Sequence, residues 1–154
     1  MLDYALFSLW FTVIHIGSYT AAGALALGIS GELYRGPDRL LDFLRDMSDD
    51  EESNRVGKLF LPAQILRGVL MSVVLYPVMG LLGDISFVLR FLFLAGLMLV
   101  YTDVASGDPF PHNIEGFVYM RDKYLKGDQV WKLYVEIVIY SVIFGLLTSW
   151  LLFR

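Results

Sequence analysis

The chain has 154 residues, of which 56% are hydrophobic and 18% are charged, and its formal net charge is −4. Soluble domains average about 25% charged residues, so this composition indicates a single polytopic membrane domain over residues 1–154. The absence of cysteine excludes disulfides, thiolate metal sites and cysteine nucleophiles, and without a basic cluster we expect no nucleic-acid partner.

Four segments are long and apolar enough to cross a bilayer, which takes about 20 residues per helix. They cover residues of about 4–30, 59–82, 85–105 and 131–153. We therefore predict an all-α integral membrane fold, a four-transmembrane-helix bundle. The opening "MLDYALFSLW" lacks the basic region of a signal peptide, so we expect this segment to be retained. The short "GDI" between the second and third spans predicts a tight hairpin.

Basic residues mark one side of this bundle. Nine of them lie in or beside the two long loops, and only Arg154 lies on the other side; the nine are Arg35, Arg39, Arg45, Arg55, Lys58, Arg121, Lys123, Lys126 and Lys132. Positive charge accumulates on the cytoplasmic side of membrane proteins. The count predicts a multi-pass protein of the cell membrane, with the lipid bilayer around it, both long loops cytoplasmic and both termini non-cytoplasmic.

The first long loop carries a helical pattern. After Pro37, apolar residues recur at helical spacing, at Leu40, Phe43, Leu44 and Met47. This pattern predicts a short amphipathic cytoplasmic interfacial helix. Ser48 and Glu51 then have the spacing of a capping box, which predicts that the helix of the second span begins near Asp49, before the membrane.

The second long loop carries a similar pattern. Asn113 is suited to cap a helix that would carry Ile114, Phe117, Val118 and Leu125 on one face, and Gly127 would close that helix. The mixture of apolar, aromatic and basic residues is typical of a headgroup interface. We predict a second amphipathic cytoplasmic interfacial helix here.

Four polar residues fall within the cytoplasmic half of the spans. From the helical rise, Arg67 lies about 12 Å from the cytoplasmic edge, Glu136 about 7 Å and Asp103 about 4 Å. Gln64 lies one turn from Arg67 on the same face. An arginine in the bilayer costs about 2.5–3.5 kcal/mol on insertion scales, so we predict a carboxylate partner, Glu136 first and Asp103 second, in a cytoplasm-facing pocket. The alternative is that Arg67 reaches the interface along its own helix.

Arg90 lies near the opposite end of its span, within reach of lipid headgroups. We therefore interpret it as a snorkelling side chain without a buried partner. From this difference we expect Arg67→Ala to destabilise the protein more than Arg90→Ala does, because a buried acid would lose its partner.

His15 lies in the middle of the first span and belongs to the predicted pocket. It could ligate haem, relay protons or hydrogen-bond a neighbouring helix. The only other histidine is His112, in a loop, so a bis-histidine haem is disfavoured and a hydrogen-bonded core histidine is favoured. The sequence identifies no cofactor.

The segment "SGDPFPHNIE" brings together Asp108, His112 and Glu115, which are suited to acid–base work at the interface. Their spacing matches no metal motif, and turn chemistry explains the glycine and prolines, so we predict no metal.

The first span also carries a stripe of small residues, Gly17, Ala21, Ala24 and Gly28. Such a face is typical of close helix packing. Packing within the chain is the simpler interpretation, and a homo-oligomer seam is the alternative.

Three functions follow from these features. The first is a transporter, channel-like oligomer or ligand-binding subunit with a polar pocket, in which Arg67 attracts an anionic group and Glu136 tunes its charge. The second is a membrane-embedded enzyme on a lipid or quinone-like substrate. The third is a structural or assembly subunit of a membrane complex, with an Arg67–Glu136 latch.

Overall fold

The computed structural model describes residues 2–153, and its regular elements are helices. Six are α-helical: α1 (Leu2–Ser30), α2 (Asp50–Leu75), α3 (Met79–Asp84), α4 (Phe87–Gly96), α5 (Ile114–Tyr119) and α6 (Gly127–Leu151). Helix α4 continues as a π-helix over Leu97–Val104, and 3-10 turns cover Gly31–Tyr34, Tyr76–Val78 and Asp122–Tyr124.

Four helical segments are long and apolar enough to cross a membrane, as predicted. They are Asp3–Tyr34, Asp50–Asp84, Phe87–Val104 and Gly127–Leu151. The predicted hairpin between the second and third is also confirmed, since α3 ends at Asp84 and α4 begins at Phe87. Outward-facing apolar side chains such as Val74, which is 75% exposed, give the bundle a surface suited to lipid.

Helix α1 packs against both α2 and α6, and α4 packs against α6. Glycines permit two of these approaches: a Cβ on Gly68 would lie 2.9 Å from the side chain of Thr12, and a Cβ on Gly145 would lie 2.9 Å from Cβ of Ala95. Small residues at crossing points allow helices to approach closely. The core between the helices includes Phe7, Phe11, Ile14, Leu94, Met98, Tyr140 and Phe144.

Helix α2 begins where the sequence predicted, but with a different cap. Asp49 is the N-cap, and its carboxylate accepts a hydrogen bond of 2.9 Å from the backbone N–H of Glu52. The predicted Ser48–Glu51 capping box is wrong because the Ser48 hydroxyl donates to the carboxylate of Asp46 instead, at 2.6 Å. The acidic first turn, Asp50 to Glu52, complements the helix dipole.

The predicted interfacial helix over residues 37–47 is wrong, because this segment forms turns. The Arg39 guanidinium donates to the backbone carbonyls of Gly36 at 3.0 Å and Leu44 at 2.8 Å, and it pairs with Asp46 at 3.2 Å. Those carbonyls are therefore held in a non-helical arrangement. Leu40 and Leu41 are buried against the bundle, which anchors the loop without an amphipathic helix.

The second loop helix is shorter than predicted. Asn113 is its N-cap, as predicted, and its side chain accepts from the N–H of Gly116 at 2.7 Å. Helix α5 ends at Tyr119, so Leu125 lies outside it, beyond a 3-10 turn. Gly127 does not close this helix but begins α6.

The two long loops meet at one end of the bundle, which agrees with the prediction that they lie on one side. The Lys123 ammonium donates to Asp42 at 2.8 Å, and the Tyr124 hydroxyl donates to the other oxygen of Asp42 at 2.7 Å. These hydrogen bonds, that of Lys123 first, lower the pKa of the Asp42 carboxyl. The loop end of the bundle is thus a connected structure.

Candidate functional site

A cavity of about 300 Å³ lies at the loop end, between the spans and the second long loop. Every long helical segment contributes to its wall: α1 through Tyr19, α2 through Arg67, the π-helix through Asp103 and α6 through Glu136. The loop before α5 contributes His112 and Asp108. The charged side chains of Arg67, Asp103 and Glu136 therefore come from three different helices to one cavity.

The structure brings most of the predicted residues together at this cavity. Five line it: Arg67, Asp103, Asp108, His112 and Glu136. Gln64 and His15 lie behind the wall, where His15 hydrogen-bonds Tyr140, which does line the cavity. Glu115, on α5, does not line it.

Arg67 does not form the predicted ion pair. Among residues 2–153, no carboxylate lies within 4.0 Å of its guanidinium nitrogens, and no hydrogen bond of its side chain is found. Its guanidinium carbon instead lies 5.9 Å from the centre of the Tyr19 ring, a cation–π distance. The Arg67–Glu136 latch is therefore wrong, although both side chains line one cavity.

Glu136 is held by neutral donors. Its Oε2 accepts hydrogen bonds from the Ser30 hydroxyl at 3.2 Å and from the Tyr34 hydroxyl at 3.1 Å. Ser30 ends α1 and Tyr34 ends the 3-10 turn that follows, so Glu136 ties α6 to this end of α1. The carboxylate is consequently fixed in place without being neutralised by a cation.

Asp103 pairs with His112 rather than with Arg67. The Oδ1 atom of Asp103 is hydrogen-bonded to Nε2 of His112, and the His112 side chain is only 8% exposed. Asp103 lies in the π-helix, whose i to i−5 hydrogen bond joins the N–H of Ala105 to the carbonyl of Val100 at 2.8 Å. π-Helical turns are uncommon and recur at functional sites. The His112 Nδ1 is buried and has no partner within the described chain.

The loop that carries His112 is organised by Asn113. The Asn113 side-chain oxygen accepts from the N–H groups of Phe110 at 3.0 Å and Gly116 at 2.7 Å, and its amide donates to the carbonyl of Asp108 at 2.6 Å. A Cβ at Gly116 would collide with the carbonyl oxygen of Phe110. These contacts fix the loop and, with it, the position of His112 beside Asp103.

His15 is the hydrogen-bonded core histidine that the sequence favoured. It is fully buried; its Nε2 lies 3.0 Å from the side-chain oxygen of Gln64, and its Nδ1 lies 2.7 Å from the hydroxyl of Tyr140. Since the Gln64 oxygen only accepts, Nε2 carries the proton and Nδ1 accepts from Tyr140. His15 thus joins α1, α2 and α6 and orients Tyr140 at the cavity wall.

Sequence reasoning missed the aromatic part of the wall. Tyr19, Tyr34, Tyr140 and Phe110 all line the cavity. Tyrosines near span ends are usually interfacial anchors, so composition alone provided no reason to single out Tyr34. The mid-span positions of Tyr19 and Tyr140 were the available signal, because a buried tyrosine hydroxyl needs a partner.

Within residues 2–153, no group of three or more His, Asp or Glu side chains is arranged to hold a metal ion. Comparison with protein-family models, with curated proteins and with solved structures finds no match for the chain. The functional proposal therefore rests on the cavity and its side chains.

Proposed function

We propose that the protein is a multi-pass membrane protein that binds a small polar ligand in the cavity, as a transporter, a channel-like oligomer or a ligand-binding subunit. The observation that carries the proposal is the Arg67 guanidinium, which lines a cavity of about 300 Å³ without a carboxylate or hydrogen-bond partner among the described residues. A cation within a span normally has such a partner. The ligand is proposed to supply it.

Arg67 is suited to this role by its chemistry. A guanidinium presents five N–H donors in a planar fork and binds carboxylates or phosphates through two parallel hydrogen bonds. The Tyr19 ring lies 5.9 Å from the guanidinium carbon, and no acceptor within residues 2–153 takes a hydrogen bond from the guanidinium N–H groups. An anionic group of the ligand would therefore offset the cost of placing Arg67 in the span.

The cavity is proposed to face the cytoplasm. It lies at the loop end, where nine of the twelve basic residues are concentrated, and this asymmetry favours the cytoplasmic side. The two termini then lie on the non-cytoplasmic side of the cell membrane. The exposed apolar residues of α5, including Phe117 at 78% exposure, would rest at the headgroup interface.

Cavity filling tests the proposal. Gly23 lines the cavity, and a Cβ there meets no atom within 4 Å, so Gly23→Leu would occupy the cavity without a backbone collision. Gly57, an exposed helical glycine with equally open surroundings, gives the matched control Gly57→Leu. The readout is the unfolding temperature in detergent with inorganic phosphate, acetate, choline and phosphocholine as probes, because a bound ligand stabilises the folded state.

We expect at least one probe to raise the unfolding temperature of the wild type and of Gly57→Leu but not of Gly23→Leu. The proposal is overturned if no probe gives a shift that depends on Gly23. Solute counterflow in liposomes with the probe that binds then separates a transporter from a ligand-binding subunit.

An enzyme acting on a lipid or quinone-like substrate is the second candidate, favoured by the Asp103–His112 pair at the cavity wall. A histidine oriented by a carboxylate is a common general base. For an enzyme, His112→Gln would abolish turnover while leaving ligand affinity within about 3-fold of the wild type. Turnover unchanged by His112→Gln would exclude this pair as the base.

We also propose a homo-oligomer formed through the small-residue stripe of α1. Gly17, Ala24 and Gly28 are exposed and Ala21 is half-buried, and a Cβ on either glycine meets no atom within 4 Å, so packing within the chain leaves most of this stripe uncovered. Gly28→Leu is then expected to shift the mass measured by light scattering to that of a monomer. A wild type that is already monomeric in lipid nanodiscs would contradict the seam.

A further inference from the structure

The charges of the cavity wall are unbalanced. One basic residue, Arg67, and three acidic residues, Asp103, Asp108 and Glu136, line the cavity. The formal charges of these four residues, one positive and three negative, sum to −2. A ligand that carries only negative charge would be repelled by most of this wall, and a ligand that carries only positive charge would leave Arg67 unmatched.

The two deeper carboxylates each keep one oxygen open. Both donors to Glu136, Ser30 and Tyr34, use Oε2, and His112 uses Oδ1 of Asp103. None of the described residues donates to Oε1 of Glu136 or to Oδ2 of Asp103. The wall therefore offers a hydrogen-bond donor fork at Arg67 and free anionic acceptors at the two acids.

Aromatic rings complete the acidic side. Tyr34, Tyr140 and Phe110 line the cavity together with Glu136 and Asp103. Rings combined with carboxylates are the usual recognition element for ammonium groups, which bind over the ring face. The ring of Tyr19 is already covered by Arg67, and Tyr140 is only 3% exposed because its ring packs against His15, Tyr19 and Phe144. The rings of Tyr34 and Phe110 therefore remain for a cation of the ligand.

The volume of the cavity limits the size of that ligand. At about 300 Å³ the cavity lies at the lower end of ligand sites, which span about 300–1,000 Å³. It accommodates a headgroup-sized molecule but not a complete lipid. The acyl chains of a lipid would have to remain outside, among the exposed apolar side chains of the spans.

We propose that the ligand is an ammonium-bearing phosphate ester, a zwitterion whose phosphate binds Arg67 and whose ammonium group binds Glu136, Asp103 and the adjacent rings. This inference rests on the proposed function. A zwitterion matches both signs of the wall at once, which neither a simple anion nor a simple cation does. The same chemistry occurs in a zwitterionic lipid headgroup and in the free phosphoester.

The first test is a comparison of probes by isothermal titration in a maltoside detergent, which carries no competing headgroup. Phosphocholine and phosphoethanolamine are compared with inorganic phosphate, choline and glycine betaine. We expect both phosphoesters to bind at least about 10-fold more tightly than inorganic phosphate and choline, as about 1.4 kcal/mol of additional pairing would give, and more tightly than glycine betaine. Equal or tighter binding of phosphate, choline or glycine betaine would overturn the inference.

Two variants test which residue binds the phosphate end of the ligand and which binds the ammonium end. Arg67→Gln is expected to weaken phosphocholine and inorganic phosphate together, by about 10-fold or more. Glu136→Gln is expected to weaken phosphocholine but not phosphate, because only the ammonium end loses its partner. Neither change removes an ion pair, and the amide oxygen introduced by Glu136→Gln can still accept from Ser30 and Tyr34. The control is Glu115→Gln, which changes a carboxylate outside the cavity. Equal weakening of phosphocholine and phosphate by Glu136→Gln would contradict the assignment of the ammonium end to Glu136.

The two sources of the ligand are separated in nanodiscs. If the ligand is a lipid headgroup, phosphatidylcholine competes for the cavity, so soluble phosphocholine binds more weakly in phosphatidylcholine discs than in phosphatidylglycerol discs. If the ligand is the free phosphoester, phosphocholine binds with the same affinity in both. Either result supports the ligand class, and absence of binding in both overturns it. A simple anion that binds at least as tightly as the phosphoesters, and whose binding is lost in Gly23→Leu, would refute the zwitterion but keep the proposed function. If no probe is sensitive to Gly23→Leu, both are refuted.

Discussion

The two arginines inside the spans have opposite surroundings. Arg90 is 6% exposed and donates five hydrogen bonds to backbone carbonyls, at distances of 2.6–3.2 Å. Its guanidinium carbon also lies 5.0 Å from the centre of the Phe153 ring. Arg67 makes no hydrogen bond through its side chain within the described chain and lines a cavity. The N–H donors of Arg90 are thus satisfied by backbone carbonyls, whereas those of Arg67 have no acceptor within the described chain.

The partners of Arg90 explain its burial. The acceptors belong to Leu82, Gly83 and Ile85 at the end of α3, and to Ser149 and Phe153 at the end of α6. The last carbonyls of a helix lack intrahelical partners and carry the negative end of its dipole. One guanidinium therefore satisfies two helix ends and joins them, without any carboxylate.

The largest effect on stability is expected for Arg90→Ala. Its loss leaves five carbonyls without a partner, which we expect to cost at least about 3 kcal/mol, whereas Arg67→Ala should change the free energy of unfolding by less than about 0.5 kcal/mol. This order reverses the expectation from the sequence. Chemical unfolding of both variants in detergent measures it, and an equal loss in the two would contradict the contrast.

A smaller loss is expected for Gly116→Ala, which tests the loop beside the cavity. The added methyl would collide with the Phe110 carbonyl and displace the loop that carries His112. We expect about 2.5 kcal/mol, toward the upper end of overpacking costs, with weaker phosphocholine binding. Gly107→Ala, in open surroundings in the same loop, is the control. A Gly116→Ala protein with wild-type stability would show that the loop is not tightly fixed.

A smaller loss of stability is expected from changes to His15 and Tyr140, which support the wall of the cavity. His15→Leu leaves the Tyr140 hydroxyl and the Gln64 amide without their histidine partner, a loss of about 2 kcal/mol. If His15 orients Tyr140, the double variant His15→Leu, Tyr140→Phe should lose less than the sum of the two single changes. Additive losses in a double-mutant cycle would mean that the two side chains act independently.

The smallest effect is expected at the contact between the loops. Hydrogen bonds from Lys123 and Tyr124 lower the pKa of Asp42 in the folded state. The resulting stability is present above the unfolded-state pKa of the carboxyl and is lost as the pH falls through the lower folded-state value. Asp42→Asn should therefore reduce the loss of stability on acidification slightly. Unfolding midpoints at pH 7 and pH 3 measure this, and an unchanged dependence would contradict the pairing.

Hydropathy was sufficient to predict the four long apolar helices, because length and apolar composition decide whether a helix can cross a membrane. It located the hairpin at Asp84, and the segment from Ser48 to Glu51 located the start of α2, although the capping residue is Asp49 rather than Ser48. Periodicity failed for residues 37–47, where Arg39 binds the carbonyls of its own loop and replaces helical hydrogen bonds. Such use of a polar side chain leaves no periodic signal in the sequence.

The sequence predicted which residues lie at the candidate site, but it did not predict which of them pair with one another. Depth along each helix placed Arg67, Asp103 and Glu136 in one layer, and all three line the cavity. Depth does not give the direction in which each side chain points around its helix axis. The Asp103–His112 pair also depends on a π-helical turn, which shifts the register of Asp103, and no residue pattern in the sequence indicates that turn.

The open guanidinium at position 67 is the feature on which the proposed ligand depends most. An experimental structure in nanodiscs of phosphatidylcholine and phosphatidylethanolamine, with phosphocholine added, tests it most directly. We predict non-protein density in the cavity, with a phosphate against the Arg67 guanidinium and the ammonium end toward Glu136. A direct ion pair between Arg67 and a carboxylate, with the cavity closed, would contradict this prediction.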